Sequence, residues 1–167
     1  MVKVGDSLPS TPLFVIRDDA KGPEPTSLPE LFEGVSKGVL FGVPGAFSPG
    51  CTRTHLPGYV RDYEKIRAEG GETIVCVSVN DPFVCKAWET SERAGGKVVV
   101  AADPEGQLAE ALGLLSDAFL PVMGSRRFRR FSAIVKDGRI AVLNVEPPNG
   151  GLSCSLSNVI LKQLREV

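Results

Sequence analysis

The sequence predicts an α/β protein with a central mixed β-sheet flanked by helices on both faces. Two observations predict it. Short, continuously apolar runs rich in β-branched residues alternate with segments of helical periodicity, as buried strands alternate with crossover helices. Beyond residue 130 this alternation gives way to two strands joined by Asp137-Gly138, a strong hairpin signal, and then a last helix.

Taken in order, Leu13 to Arg17 reads as a short strand. Ser27 and Glu30 form a capping-box pattern, so a short helix is expected from Ser27 to Phe32. Gly38 to Val43 is a strand buried on both faces. A helical segment then runs to about Ala68, with Pro57 and Gly58 expected to kink or delay it. Thr73 to Val79 is a second buried strand. Asp81 to Ala94 is a helix capped by Asp81 or Asn80, with Pro82 in its first position. Lys97 to Ala101 is a strand and Gln107 to Leu112 a short helix. Phe131 to Lys136 and Ile140 to Val145 form the hairpin. Ser155 to Arg165 is a helix with Leu156, Val159, Ile160 and Leu164 on one face. With no repeat, low-complexity segment or linker, a single domain over residues 1–167 is expected.

Composition narrows the function. Nineteen basic and 20 acidic residues leave a net charge of −1, which argues against binding to nucleic acid or a membrane surface by bulk charge. No apolar run approaches the ~20 residues of a spanning helix. The cysteines, at 51, 76, 85 and 154, are widely spaced. With no signal-peptide pattern or glycosylation sequon, they suggest a reducing compartment and not secretion. A single histidine and no clustered cysteines give no support for a metal site or haem attachment.

The chemistry-bearing stretch is Val43-Pro-Gly-Ala-Phe-Ser-Pro-Gly-Cys51, with the only histidine at His55. A strand ending at Val43 and a helix beginning near Cys51 place the sulfur at a helix N-terminus, where free N–H groups favour the nucleophilic thiolate. Pro44 and Pro49 stiffen the loop, and Gly45 and Gly50 allow close backbone approach or positive φ. Ser48 can offer a hydroxyl to the same centre. Position alone leaves open a second reading, a buried and inert structural cysteine.

This stretch, continued by Thr54-His-Leu-Pro-Gly-Tyr59, resembles the Pro-x-x-x-Thr/Ser-x-x-Cys signature of peroxiredoxins, specifically the peroxiredoxin V subfamily. Further segments match in order: Ser78 to Phe83, Ala102 to Pro104, Gly124 to Arg127, Arg130 to Ser132, Leu143 to Pro147 and Gly151 to Leu156. The resemblance implies a thioredoxin-like fold and a thiol peroxidase that reduces hydrogen peroxide and alkyl hydroperoxides without metal, flavin or haem. It implies Cys51 as the peroxidatic cysteine, oxidised to a sulfenic acid. Pro44 would shield it, Ser48 (Thr in many members) would hydrogen-bond it, and Arg130 would stabilise negative charge. His55 reads as a general acid–base or, preferably, as a structural residue. Arg126, Arg127 and Arg129 read as a solvated basic turn.

The resemblance also implies a resolving cysteine. Cys154, in the glycine-rich segment before the last helix, matches that of animal peroxiredoxin V and implies an intramolecular disulfide. Cys76, 25 positions after Cys51 as in plant-type members, is the lesser alternative, and Cys85 has no assigned role. Phe47, Gly50, Phe119 and Met123 are expected around the substrate pocket. Phe119 and Met123 read equally as core or dimer-contact residues. Thioredoxin is the expected reductant, with glutathione or glutaredoxin as alternatives. A homodimer or monomer–dimer equilibrium is expected, in cytoplasm, mitochondrion or peroxisome, although the Arg165-Glu-Val167 tail is no Ser-Lys-Leu-type signal. A peroxide sensor or relay using the same cysteine is the second functional reading. A redox-silent binding module is the third. The lack of Cys-x-x-Cys disfavours a disulfide reductase.

Overall fold

The computed structural model describes residues 1–17 and 21–167. Its main sheet has seven strands in the order β2-β1-β5-β4-β3-β8-β9. These are β1 (Leu13–Val15), β2 (Glu24–Thr26), β3 (Lys37–Val43), β4 (Ile74–Ser78), β5 (Val99–Ala102), β8 (Phe131–Lys136) and β9 (Arg139–Val145). Strands β3, β4 and β5 are parallel, and the others join antiparallel, so the sheet is mixed as expected. Leu115–Ser116 (β6) and Arg127–Phe128 (β7) form a separate two-stranded ladder.

Alternation along the central strands supplies two cores. Leu40, Val75 and Val77 face one layer with Leu28 of α1 (Leu28–Leu31) and Leu108 and Leu112 of α5 (Gln107–Leu112). Val39, Phe41, Val43 and Cys76 face the other, with Leu56 and Tyr59 of α2 (Leu56–Arg61), Ile66 of α3 (Tyr63–Ala68), Trp88 of α4 (Pro82–Ser91) and Ile160 and Leu164 of α7 (Ser157–Leu164). A short α6 (Leu120–Met123) lies outside both cores. No helix among the described residues is long and apolar enough to cross a membrane.

Local side-chain hydrogen bonds and turns set several boundaries. Ser27 Oγ accepts the Glu30 N–H, and Asp81 Oδ1 accepts that of Val84. Asp103 accepts from Leu108 and Ala109, which starts α5. Asp137 and Gly138 both have positive φ, 50° and 77°, as a tight Asp-Gly hairpin requires. Lys37 Nζ donates to the carbonyls of Leu164 and Val167, closing the end of α7 onto β3.

The helix after β3 departs from expectation. Helical backbone starts at Pro49 and is not delayed at Pro57. A π turn at Cys51–His55 precedes Pro57 instead, with the Leu56 N–H donating to the Cys51 carbonyl. Pro57 lacks an N–H for the Arg53 carbonyl and its ring crowds that oxygen, and the wider turn absorbs both effects. The break falls at Asp62, which accepts from Ser157 Oγ at 2.7 Å and ties the helix to α7. Strand β1 lies within the strand expected at Leu13 to Arg17, whereas β2, its pairing with β1, β6, β7 and α6 are not expected from the sequence.

Gly42 of β3 lies under the Phe131 ring, where a Cβ would overlap Phe131 Cε1. Gly42→Ala is expected to destabilise the protein by about 1–3 kcal/mol through forced repacking of this sheet face. Urea unfolding followed by the fluorescence of Trp88 checks it; an unchanged midpoint would show that the ring yields freely.

Candidate active site

The site lies beyond the C-terminal ends of β3 and β4, where ligands gather in α/β sheets. Pairing sets its parts. Gly42 stands opposite Phe131 on β8, so Arg130, one residue before, comes beside the Val43–Pro44 exit of β3. The loop from Pro44 to Gly50 then delivers Cys51 in the first helical turn, with Pro49 at the head of the helical backbone.

Cys51 is fully buried. Its Sγ lies 2.9 Å from Ser48 Oγ and 3.3 Å from Arg130 Nη2. Ser48 Oγ is also 2.7 Å from the Gly45 carbonyl. One hydroxyl proton cannot serve both neighbours. With a neutral thiol, the S–H donates to Oγ and the hydroxyl donates to Gly45; with a thiolate, the hydroxyl turns to the sulfur.

Arg130 is 6% exposed. Its Nη1 donates to His55 Nδ1 at 3.0 Å. His55 Nε2 lies 3.1 Å from the Ser155 carbonyl. A carbonyl only accepts and a guanidinium only donates, so His55 is neutral with its proton on Nε2. Burial, then the charge of Arg130, pushes its pKa down to about 3. Both ring nitrogens are occupied, so His55 serves the site as a structural residue. It packs against the stacked pair of Phe41 and Tyr59, and Tyr59 donates to the same Ser155 carbonyl at 2.6 Å.

The loop is braced from outside. Asn80 Oδ1 accepts the Ala46 N–H at 2.9 Å and the Ser78 hydroxyl at 2.6 Å. Because Asp81 caps α4, Asn80 is free for this task. Trp88 Nε1 donates to Thr52 Oγ1 at 3.0 Å, next to Cys51. Positive φ in the loop falls on Phe47 (64°), not on Gly45 or Gly50. An exposed phenylalanine in that conformation costs on the order of 1–2 kcal/mol and is held by its surroundings. The two glycines instead permit contact. A Cβ on Gly50 would stand 3.2 Å from Arg130 Nη2 and 3.3 Å from Leu152, and one on Gly45 3.1 Å from Arg127 Nη1 and 3.4 Å from Met123 Sδ.

The expectation of a solvated basic turn holds for Arg126, which pairs with Asp117 at the surface. It fails for its neighbours. Arg127 donates to the carbonyls of Pro44 and Met123, and Arg129 donates to the Glu146 carbonyl. Both therefore brace backbone around the site. Met123 reaches Gly45, while Phe119 sits near Gly150 of the glycine-rich segment.

Cys154, half-buried, lies in that segment. Burial and the charge of Glu146 push its thiol pKa up. Cys76 and Cys85 are buried in the same core as Cys51. Burial pushes the Cys76 thiol well up and that of Cys85 to about 12. Asn80, Arg127 and Glu146 were missed as site residues. All three fall inside segments that carried the resemblance, which was their only signal.

Sheet order and a cysteine-bearing turn after β3 define a thioredoxin-like redox protein. Residues 3–160 match the Redoxin family. The chloroplastic peroxiredoxin-2E-2 of Oryza sativa is 40% identical over 166 residues, covering 98% of this chain and 72% of the relative. Reduced Prx3 of Vibrio vulnificus, solved in complex with H2O2, superposes with a TM-score of 0.89 at 36% identity, covering 98% of this chain and 99% of the other. Peroxiredoxin 5 of Alvinella pompejana gives 0.84 at 33% identity, with 100% of both chains covered. The chain belongs to the peroxiredoxins and is a thiol peroxidase.

His55 makes the protein acid-sensitive. Its folded pKa of about 3 lies below the ordinary 6.5, so the unfolded chain binds the extra proton between these values. The stability linked to this group is complete above pH 6.5 and falls, by at most about 1.4 kcal/mol per pH unit, as pH drops toward 3. His55→Phe is expected to flatten that slope in denaturant titrations from pH 7 to about 5. An equal slope in wild type and variant would show that His55 is not the group responsible.

Proposed function

We propose that the chain is a single-domain peroxidase of hydrogen peroxide and alkyl hydroperoxides, with Cys51 as the peroxidatic residue. The observation that carries this is the buried Cys51 sulfur flanked by the Ser48 hydroxyl and the Arg130 guanidinium. The thiolate attacks one peroxide oxygen, the O–O bond breaks, and the sulfur takes that oxygen as a sulfenic acid. The other oxygen leaves with a proton as water or alcohol. Arg130 and Ser48 stabilise the charge that moves from sulfur to the leaving oxygen. Arg130 Nε is buried and has no hydrogen-bond partner among the described residues. Pro44, buried at the loop entry, shields the sulfur from water, and Phe47, Gly50, Phe119 and Met123 shape the surroundings. The hydrogen peroxide in the Vibrio relative supports this substrate class.

Cys154 resolves: its thiol attacks the sulfenic sulfur, water leaves, and a Cys51–Cys154 disulfide forms. Leu152 already packs over Gly50, and the Ser155 carbonyl bonds His55, so this segment touches the site on both sides of Cys154. A dithiol reductant of the thioredoxin type then supplies two electrons and two protons. Cys76, in the core around Cys51, is the second candidate, disfavoured by its complete burial within β4. Either route fits a homodimer or monomer–dimer equilibrium and a reducing compartment, cytoplasmic or organellar. The rice relative's chloroplast adds to the mitochondrial and peroxisomal possibilities.

NADPH oxidation coupled through thioredoxin reductase and thioredoxin tests this with hydrogen peroxide. Turnover is expected in wild type and none in Cys51→Ser, with thioredoxin-supported turnover lost in Cys154→Ser. Full activity in Cys154→Ser would transfer resolution to Cys76 or an external thiol. Stoichiometric oxidation of Cys51 without turnover would favour the sensor reading.

A further inference from the structure

Glu146 follows the end of β9 and is fully buried, 0% exposed, with no cation in ion-pair contact among the described residues. Its carboxylate is saturated from one short segment. Oε2 accepts the N–H groups of Ser153 and Ser155 at 2.8 and 3.0 Å and the Ser155 hydroxyl at 2.7 Å. Oε1 accepts the Ser153 hydroxyl at 2.9 Å. These two residues bracket Cys154. The carbonyl of the same Ser155 accepts from His55 Nε2, and His55 Nδ1 accepts from Arg130, which donates to Cys51 Sγ. A continuous hydrogen-bonded chain therefore runs from Glu146 to the Cys51 sulfur.

We propose that Glu146 is a positioning residue of the peroxidatic site and the latch of the Cys154 segment. This rests on the roles proposed above for Cys51 and Cys154. By fixing Ser155, Glu146 holds His55 as an acceptor and thereby aims the Arg130 guanidinium at the sulfur. The two half-reactions then exclude one another structurally. The segment cannot carry Cys154 toward Cys51 without taking the Ser155 carbonyl away from His55, so Arg130 is aimed only while Cys154 is latched. Burial tends to raise the Glu146 pKa, but the hydrogen bonds from Ser155 and Ser153 prevail and bring it down to about 2, so the latch is charged at neutral pH. Burial, then the charge of the carboxylate, raises the pKa of the adjacent Cys154 thiol while the segment is latched.

The test is Glu146→Gln, which keeps size but removes the charge and part of the acceptor capacity. Trp88, the only tryptophan and bonded beside Cys51, reports both steps by stopped-flow fluorescence. Oxidation of Cys51 by hydrogen peroxide, read in a Cys154→Ser background, is expected to slow about tenfold. Disulfide formation, read with Cys154 present, is expected to accelerate. The His55 side-chain N–H proton, protected in wild type, should exchange rapidly in the variant. Opposite signs for the two steps separate positioning from general loosening. Both rates and the His55 proton unchanged in a folded Glu146→Gln protein would overturn the proposal. Should that variant not fold, Ser153→Ala, at an exposed position, removes one latch bond. It should give smaller shifts of the same signs, and no shift would likewise overturn the proposal. A wild-type protein whose Cys51 does not react with peroxide would instead refute the proposed function, whatever Glu146 does.

Discussion

The structure is organised around one buried cation. Arg130 lies inside the protein with no carboxylate in ion-pair contact among the described residues. An uncompensated guanidinium there is costly, and polar neighbours must recover what water would have supplied. Two do so: a histidine kept neutral and a cysteine sulfur. A second cation at His55 would be untenable beside Arg130, and a negative sulfur is the counter-charge this place lacks. In the proposed reaction the same buried arginine would stabilise negative charge on the sulfur and on the leaving oxygen, so its burial would serve both structure and chemistry.

Rigid supports keep that geometry from relaxing. Antiparallel β3–β8 pairing brings Arg130 to the loop, and parallel β3–β4 pairing brings Asn80 to its far side. The π turn lets Cys51 sit in the first turn of a helix that must pass through Pro57 a turn and a half later. Trp88, through the Thr52 hydroxyl, and Arg127, through the Pro44 carbonyl, brace the two flanks. The segment bearing Cys154 is joined to the site by side-chain and carbonyl bonds rather than by sheet or helix, which suits the movement proposed for it.

Much of this was legible in the sequence. The buried strands announced themselves as apolar runs, and their antiparallel finish by Asp137-Gly138. Ser27 and Asp81 marked helix starts because a short polar side chain can satisfy local N–H groups. What was hidden is tertiary. Two-residue strands such as Leu115–Ser116 have no periodicity to read. Asn80 and Asp81 are equally good caps on paper, and only the fold decides which one turns to Ala46. The sequence allows positive φ at Gly45 and Gly50, yet it occurs at Phe47. Ser155 was placed in the last helix. It stays outside because Glu146 claims its N–H and hydroxyl, a pairing across nine positions that no local pattern encodes.

The most direct measurement is nitrogen NMR of the imidazole, unambiguous because His55 is the only histidine. The expected spectrum of the reduced protein has the proton on Nε2, a bare Nδ1, and no titration from neutral pH down toward its pKa of about 3. A ring that titrates near the ordinary value of 6.5, or that carries its proton on Nδ1, would mean that Arg130 does not donate to it and that the buried cation is held in some other way.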